Sequence, residues 1–241
     1  MKAGKGKRVA ESLHLLQSKK EVNAAACPGE TSGSFLDVHA PDNGCNGPQG
    51  FKAAVGLHTA YPGIAQGTFA VSELASNKHI DLVTLSIGGN DLLLLEYYCA
   101  TSTMGFDACV NTYLPGTLTT YGDNLAKILT AIRANYQGTL ILMKSYAPSA
   151  DPLFVQAIAA LNQVMVNVGA QFGVKFADGF AAFRAASAPF GFDPCQAGLL
   201  IRLTSFPNPL TCDVHPSPIG RESRWAAPSA VRRRPSASPS S

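Results

Sequence analysis

Short apolar runs alternate with longer segments of helical periodicity through the middle of the chain. Three near-continuous runs of aliphatic residues predict strands that are buried on both faces, at Ile80 to Ile87, Thr139 to Ser145 and Val174 to Asp178. Three segments predict helices, near Thr68 to Ser76, Gly122 to Tyr136 and Leu153 to Phe172. This alternation predicts an α/β fold with a doubly wound parallel sheet, in which ligands bind at the carboxyl ends of the strands.

The flanking segments lack such regular patterns. We expect a short helix at Ala10 to Ser18 and a strand at Glu21 to Ala26. Gly33 to Gly50 and Cys99 to Pro115 have the composition of irregular loops. Arg221 to Ser241 is rich in Pro, Ser, Ala and Arg, which predicts a disordered tail.

Length and charge favour one acidic domain between two basic ends. The chain has 241 residues, of which 46% are hydrophobic, enough for one domain with a sizeable core. We place that domain at residues 21–220, after an atypical segment at 1–20 and before the tail at 221–241. The formal charge is +3, but residues 21–220 hold 8 basic and 14 acidic side chains, a net charge of −6. The basic ends hold a single aromatic residue, Trp225, so we expect no nucleic-acid partner. We also expect a monomer.

Targeting signals are not evident. Apolar runs fall short of the roughly 20 residues that a membrane span needs, so we expect no transmembrane segment. Met1 to Leu13 has a basic stretch without the apolar core of a signal peptide.

The six cysteines form three groups that are close in sequence, in stretches with loop composition. Their even number and clustering favour three disulfides formed outside the cytosol, although six cysteines allow 15 connectivities. Six buried thiols are the alternative. A zinc site is less favoured because the sequence has no Cys-x-x-Cys motif, and we expect no metal.

Three segments carry candidate chemistry. Cys27-Pro28-Gly29-Glu30 lies near the start, Ser86-Ile87-Gly88-Gly89-Asn90-Asp91 follows the first apolar run, and Asp213-Val214-His215-Pro216 lies near the end. In order and spacing they resemble three sequence blocks of the SGNH (GDSL-type) hydrolases, a superfamily of serine esterases and lipases. The resemblance covers roughly residues 10–220 and implies a flavodoxin-like three-layer fold without a cofactor.

The resemblance also implies a role for four residues. His215 matches the general base, and Asp213 would orient its ring, although the family usually spaces these residues as Asp-x-x-His. A backbone carbonyl could orient the ring instead. The side-chain N–H of Asn90 and the backbone N–H of Gly29 match the two donors of the oxyanion hole. Some secreted bacterial members have three local disulfides that brace the active-site loops, which implies here the pairs Cys27–Cys45, Cys99–Cys109 and Cys195–Cys212.

The serine nucleophile is missing from this pattern, because the chain contains no Gly-Asp-Ser. Ala10-Glu11-Ser12-Leu13 looks like a degenerate version of it. Only 17 positions separate Ser12 from Gly29, however, and a return helix of about 11 residues would have to fit between two strands. We therefore place Ser12 in the first helix and expect the chain to begin after the serine block, without the first strand. A frame error at the ends is one explanation.

These observations favour a carboxylic-ester hydrolase of the secreted kind that acts on small esters or lipids and is inactive in this form. Two alternatives stay open. One is a non-catalytic protein that binds lipids or glycans in the same crevice, and the other is a truncated fragment.

Overall fold

The computed structural model describes residues 24–54, 56–203 and 211–225. Before the first strand lie three helices, α1 (Ser32–Leu36), α2 (Phe51–Ala54) and α3 (Gln66–Ser76). They are followed by β1 (Leu82–Leu85), α4 (Gly89–Ala100), α5 (Phe106–Asn135), β2 (Thr139–Met143), α6 (Pro152–Gly169) and β3 (Lys175–Ala177). The last elements are α7 (Gly179–Ser187), β4 (Leu200–Arg202), β5 (Cys212–Pro216) and α8 (Pro218–Trp225), with 3₁₀ turns at Ala170–Phe172 and Ala188–Phe190.

A parallel sheet in the order β1-β2-β3 forms the centre of the fold. Apolar side chains of β1 and β2, including Leu85 and Leu142, pack against α5 and α6 in one core cluster. Leu125, Leu161 and Met165 are fully buried at the centre of this cluster. The predicted α/β class and its parallel strands are therefore confirmed. Of the strand expected at Glu21 to Ala26, residues 21–23 lie outside the described residues.

A two-stranded antiparallel sheet, β4-β5, lies outside this parallel sheet. The disulfide Cys195–Cys212 and a hydrogen bond from the Tyr146 hydroxyl to the Val214 carbonyl (2.6 Å) tie it to the domain. Tyr146 in turn stacks on the buried ring of Phe183, with ring centroids 4.1 Å apart. These contacts hold β5 beside the carboxyl ends of β1 and β2.

The main error of the sequence interpretation concerns the segment around Cys99 to Pro115. The disulfide Cys99–Cys109 is formed, but α5 already begins at Phe106 and continues for 30 residues through Pro115. Proline removes one backbone donor, which would have bonded the carbonyl of Asn111, and Asn111 is exposed. The helix therefore tolerates a residue that normally ends one.

Other boundaries also differ. Residues 24–26 are not a strand; there the Tyr61 hydroxyl bonds the Ala25 carbonyl at 2.6 Å instead. The predicted loop from Gly33 to Gly50 contains most of α1, which starts with a capping box between Thr31 and Ser34. Residues 221–225, assigned to the tail, continue α8; the helix starts where the Ser217 hydroxyl accepts the Gly220 N–H (3.2 Å). The predictions for residues 10–18 and 226–241 fall outside the described residues.

One helical stretch meets the length and hydropathy of a membrane span, contrary to our expectation. Pro152–Phe172, which is α6 with the following 3₁₀ turn, has 21 residues and a window of mean hydropathy 1.5. Its apolar residues Ile158, Leu161 and Met165 lie in the domain core. Core helices of folded domains pass the same test, so this helix gives only a weak indication of a span.

Candidate active site

The turn between β1 and α4 brings Asn90 to the carboxyl edge of the sheet. Gly88 has φ +108°, a conformation that favours glycine, and a Cβ there would lie 2.5 Å from the ring of Tyr121. The chain therefore reverses tightly against a fully buried tyrosine. Asn90 follows in the first turn of α4, so its amide is fixed by the helix and faces the crevice above the strands.

A second glycine turn lies against Asn90. Gly29 has φ +84°, and a Cβ there would lie 2.3 Å from the Asn43 carbonyl oxygen. The N–H of Asn43 donates to the Gly29 carbonyl (2.8 Å), and the disulfide Cys27–Cys45 closes the same loop. Only glycine fits this position, which agrees with the sequence prediction of a special backbone turn.

Asn90 joins the two turns. Its Nδ2 donates to the Glu30 carbonyl (3.1 Å), and its Oδ1 accepts from Asn43 Nδ2 (3.4 Å). An amide nitrogen carries two N–H groups, and the described residues take only one of them. The other N–H of Asn90 can therefore serve a bound oxygen atom.

Asp91 anchors this arrangement from behind, a role that the sequence interpretation missed. Its carboxylate accepts bonds from the backbone N–H (2.9 Å) and the hydroxyl (2.5 Å) of Ser32, at the start of α1. Asn124 of α5 also donates to the Ser32 hydroxyl (3.2 Å). Desolvation by burial raises the pKa of Asp91, and the bonds from Ser32 oppose this shift. Asp91 thus fixes α4 to the glycine turn before α1.

His215 lies on β5. Its Nδ1 is 2.7 Å from Asp213 Oδ1, and its backbone N–H also bonds that oxygen (3.3 Å). Residues i and i+2 point to the same side of a strand, so the Asp-x-His spacing suffices for the contact. With Nδ1 held by the carboxylate, Nε2 is the nitrogen left to act on a substrate. The ring is 57% exposed.

Asn90 and His215 line the same cavity, which has a volume of about 200 Å³. The hydroxyls of Ser86 and Ser145 also line it, and Glu30 does so beside Asn90. Gly29 is not among the lining residues, although its neighbour is. Of the predicted site residues, Asn90 and His215 line this cavity, Asp213 contacts His215, and Gly29 precedes the lining residue Glu30.

Asn162 fixes the Ser145 side of the cavity, and nothing in the sequence pattern indicated this. The nearly buried Asn162 accepts the backbone N–H of Ser145 (2.8 Å) and donates to its carbonyl (2.8 Å). A polar residue on the apolar face of α6 was the only available signal. This paired bond fixes the backbone where it leaves β2.

Glu30 is buried next to the disulfide Cys27–Cys45. One carboxylate oxygen lies 2.9 Å from Cys45 Sγ, and burial raises the pKa of Glu30 despite Lys52 and Asn46 nearby. Cys27, Glu30 and Cys45 are spaced closely enough for a metal ion. Both sulfurs are bonded to each other, however, and a disulfide does not offer the thiolate that binds metals. This cluster therefore braces the Gly29 turn.

All three disulfides have the pairing that the sequence resemblance implied, Cys27–Cys45, Cys99–Cys109 and Cys195–Cys212. Two of them flank the site, one beside Gly29 and one at the base of β5. Ser12, the discounted nucleophile, lies outside the described residues.

A family model described as the GDSL-like lipase/acylhydrolase family matches residues 3–222. The chain belongs to this family. The match extends into residues 3–23, where no Gly-Asp-Ser occurs. Among curated proteins, none matches the chain significantly.

Two solved structures are similar to the chain. The chain is similar to phospholipase A1 from Streptomyces albidoflavus, with 20% identity, a TM-score of 0.50, and coverage of 66% of this chain and 72% of that one. It is also similar to an extracellular lipase from Streptomyces rimosus, with 19% identity, a TM-score of 0.43, and coverage of 80% and 87%. At these identities the first likeness supports the GDSL fold alone, and it agrees with the flavodoxin-like prediction.

Proposed function

We propose that this domain carries the site of a carboxylic-ester hydrolase, acting on small-molecule esters or lipids without metal or cofactor. The observation that carries the proposal is the pairing of Asn90 with the Asp213-supported His215 across one cavity. A general base and an oxyanion donor that line one cavity are what acyl transfer requires. Family membership supports the same reaction class.

The chemistry follows from these positions. Asp213 holds the Nδ1–H of His215, so Nε2 can take the proton of an attacking serine hydroxyl. The serine oxygen then bonds the ester carbon, and the carbonyl oxygen becomes an oxyanion that the free N–H of Asn90 stabilises. The family resemblance assigns the second donor to the backbone N–H of Gly29, which precedes the lining residue Glu30. His215 returns the proton to the leaving alcohol, and water repeats the sequence on the acyl-enzyme.

The serine itself is the open part of the proposal. Ser86 and Ser145 line the cavity, but neither stands in a Gly-Asp-Ser, and Ser12 remains discounted. We expect purified protein to show no serine-dependent turnover of p-nitrophenyl acetate or butyrate. Turnover that a serine-directed phosphonate abolishes would overturn this expectation, and peptide mapping of the labelled serine would identify the nucleophile.

A repaired protein tests the other residues. An upstream strand ending in Gly-Asp-Ser, taken from a family member, should switch on esterase activity. In that protein Asn90→Ala should lower kcat about a hundredfold or more, and His215→Ala should cost more. Asp213→Ala should also be severe, because the 2.7 Å contact holds the ring; a loss under about tenfold would assign orientation to a backbone carbonyl. A folded, active enzyme that is indifferent to Asn90→Ala and His215→Ala would refute the site.

The second candidate is a non-catalytic protein that binds acyl groups or glycans in the same cavity. One property of the cavity favours this binding function: its apolar wall and its polar groups can contact a ligand without a nucleophile. Saturable ligand binding together with failure of the repaired protein to turn over esters would select this function. The disulfides support an extracellular location for either one, and we propose a monomer, which light scattering would test.

A further inference from the structure

The cavity is divided into a polar rim and an apolar floor. Asn90 and His215 stand at the rim, where His215 is exposed. Met143 and Ile158, which are 1% and 3% exposed, form the floor. A ligand that bonds Asn90 must therefore direct any tail inward.

Two helices form the apolar walls. On α4, Leu93 lies one turn beyond Asn90, so the amide and the leucine share a face. On α6, Phe154 and Ile158 are four residues apart and also share a face. Leu93, Phe154 and Ile158 all line the cavity that Asn90 lines, so they offer apolar contacts to the tail of a ligand whose carbonyl lies at Asn90.

The volume limits the length of that chain. A water-sized group occupies about 30 Å³, and a methylene is of about the same size, so a cavity of about 200 Å³ holds about seven such groups. The carbon and two oxygens of an acyl head take about three of them. About four carbons remain for the tail.

We infer that this cavity selects unbranched acyl groups of about four to six carbons, with the carbonyl at Asn90 and the tail against Met143 and Ile158. The inference rests on the proposed function and adds to it a substrate class, esters of short-chain acids. Longer acyl chains would have to bend out over the exposed rim and would gain nothing from the floor.

Binding of simple carboxylates tests the inference in the chain as it exists, without a nucleophile. Butyrate, hexanoate, octanoate and decanoate are titrated by calorimetry below their aggregation concentrations. Each buried methylene should lower Kd about fourfold, so hexanoate should bind about fifteenfold more tightly than butyrate. Octanoate and decanoate should then gain less than about threefold. A continued fourfold gain per methylene up to decanoate, no dependence on length, or no binding of any carboxylate would overturn the inference.

Variants of the apolar wall make the test specific. Ile158→Phe shortens the floor and should weaken hexanoate at least tenfold while leaving acetate unchanged. Phe154→Ala opens the wall and should shift the optimum to octanoate. Phe180→Ala is the matched control, since that ring packs on the core but does not line the cavity, and it should leave the profile unchanged. An unchanged length profile in folded Ile158→Phe would refute the role of the floor.

The polar residues separate this inference from the proposed function. Asn90→Ala should weaken carboxylates of every length by a similar factor, because it removes a contact to the head and not to the tail. If the length limit holds while Asn90→Ala and His215→Ala change no affinity, the selection for short chains stands, whereas the placement of the carbonyl at Asn90 and the proposed catalytic assignment both fail. If Asn90→Ala weakens binding but affinity shows no length limit, the selection for short chains fails and the proposed role of Asn90 stands.

Discussion

Gly88 offers the sharpest test of how the Asn90 turn is built. Replacing it with alanine adds a single methyl group at φ +108°, and that methyl would meet the ring of Tyr121 at 2.5 Å. A Cβ in the left-handed region costs roughly 1–2 kcal/mol. Overpacking a filled core site costs about 1–3 kcal/mol more, since Tyr121 is fully buried and cannot retreat to solvent.

The two costs together predict that Gly88→Ala destabilises the protein by about 2–5 kcal/mol. Urea unfolding followed by circular dichroism measures this as a lower midpoint at an unchanged m-value. Gly173→Ala is the matched control: Gly173 is also in the left-handed region, with φ +61°, but a Cβ there would have nothing within 4 Å. It should carry the strain alone, about 1–2 kcal/mol.

A double-mutant cycle isolates the contact with the ring. In a Tyr121→Leu background the aromatic edge is gone, so Gly88→Ala should cost only about as much as Gly173→Ala. We expect a coupling energy of about 1–3 kcal/mol. If Gly88→Ala and Gly173→Ala agree within about 0.5 kcal/mol in the wild-type background, the turn does not depend on Tyr121 and the reasoning is refuted.

Three further predictions concern the rest of the domain. Peptide mapping under non-reducing conditions should recover the three local cysteine pairs, each worth about 3 kcal/mol by loop entropy, and six free thiols after oxidative refolding would contradict them. Burial raises the pKa of Glu30 above its ordinary 4.5, so the folded state binds this proton more tightly than the unfolded state and loses stability as pH rises from 4.5 through the raised pKa. Glu30→Gln should therefore reduce the change in urea midpoint between pH 4 and pH 7.5, and an unchanged dependence of the midpoint on pH would refute this. Arg133 donates to four backbone carbonyls, so Arg133→Ala should lower the free energy of unfolding by about 2–4 kcal/mol. Lys127 is exposed on the same helix, and Lys127→Ala should change the free energy of unfolding by less than about 0.5 kcal/mol. Equal effects would show that the hydrogen bonds of Arg133 do not stabilise the fold.

The features that could be predicted from sequence are those with local causes. Gly88 and Asn90 follow an apolar strand directly, and Asp213 reaches His215 because two residues on one strand share a side. The disulfides close loops of 10 to 18 residues. Each of these depends on neighbours that the sequence shows side by side.

Other contacts join distant positions and leave no pattern in the chain. Asp91 bonds Ser32, which is 59 residues away, and the sequence offers no period that would pair them. Asn162 holds the backbone of Ser145 across 17 residues from an otherwise apolar helix. The course of α5 through Pro115 was missed because local propensity opposed it, whereas packing of its buried face against the core outweighs one lost backbone bond.

Binding and turnover can be tested separately in this domain, because the contacts that support the cavity are independent of a nucleophilic serine. The Asn90 turn is held by Asp91 and Glu30, and β5 is held by Tyr146 and a disulfide. None of these supports involves a nucleophilic serine, so His215, Asn90 and the apolar floor should keep their places whether or not a serine reaches them. Carboxylate affinity therefore reports on the cavity alone, and restored turnover reports on the serine alone. A repaired protein that binds hexanoate as the present chain does, and also hydrolyses its esters, would show that the serine was the single missing element of the site.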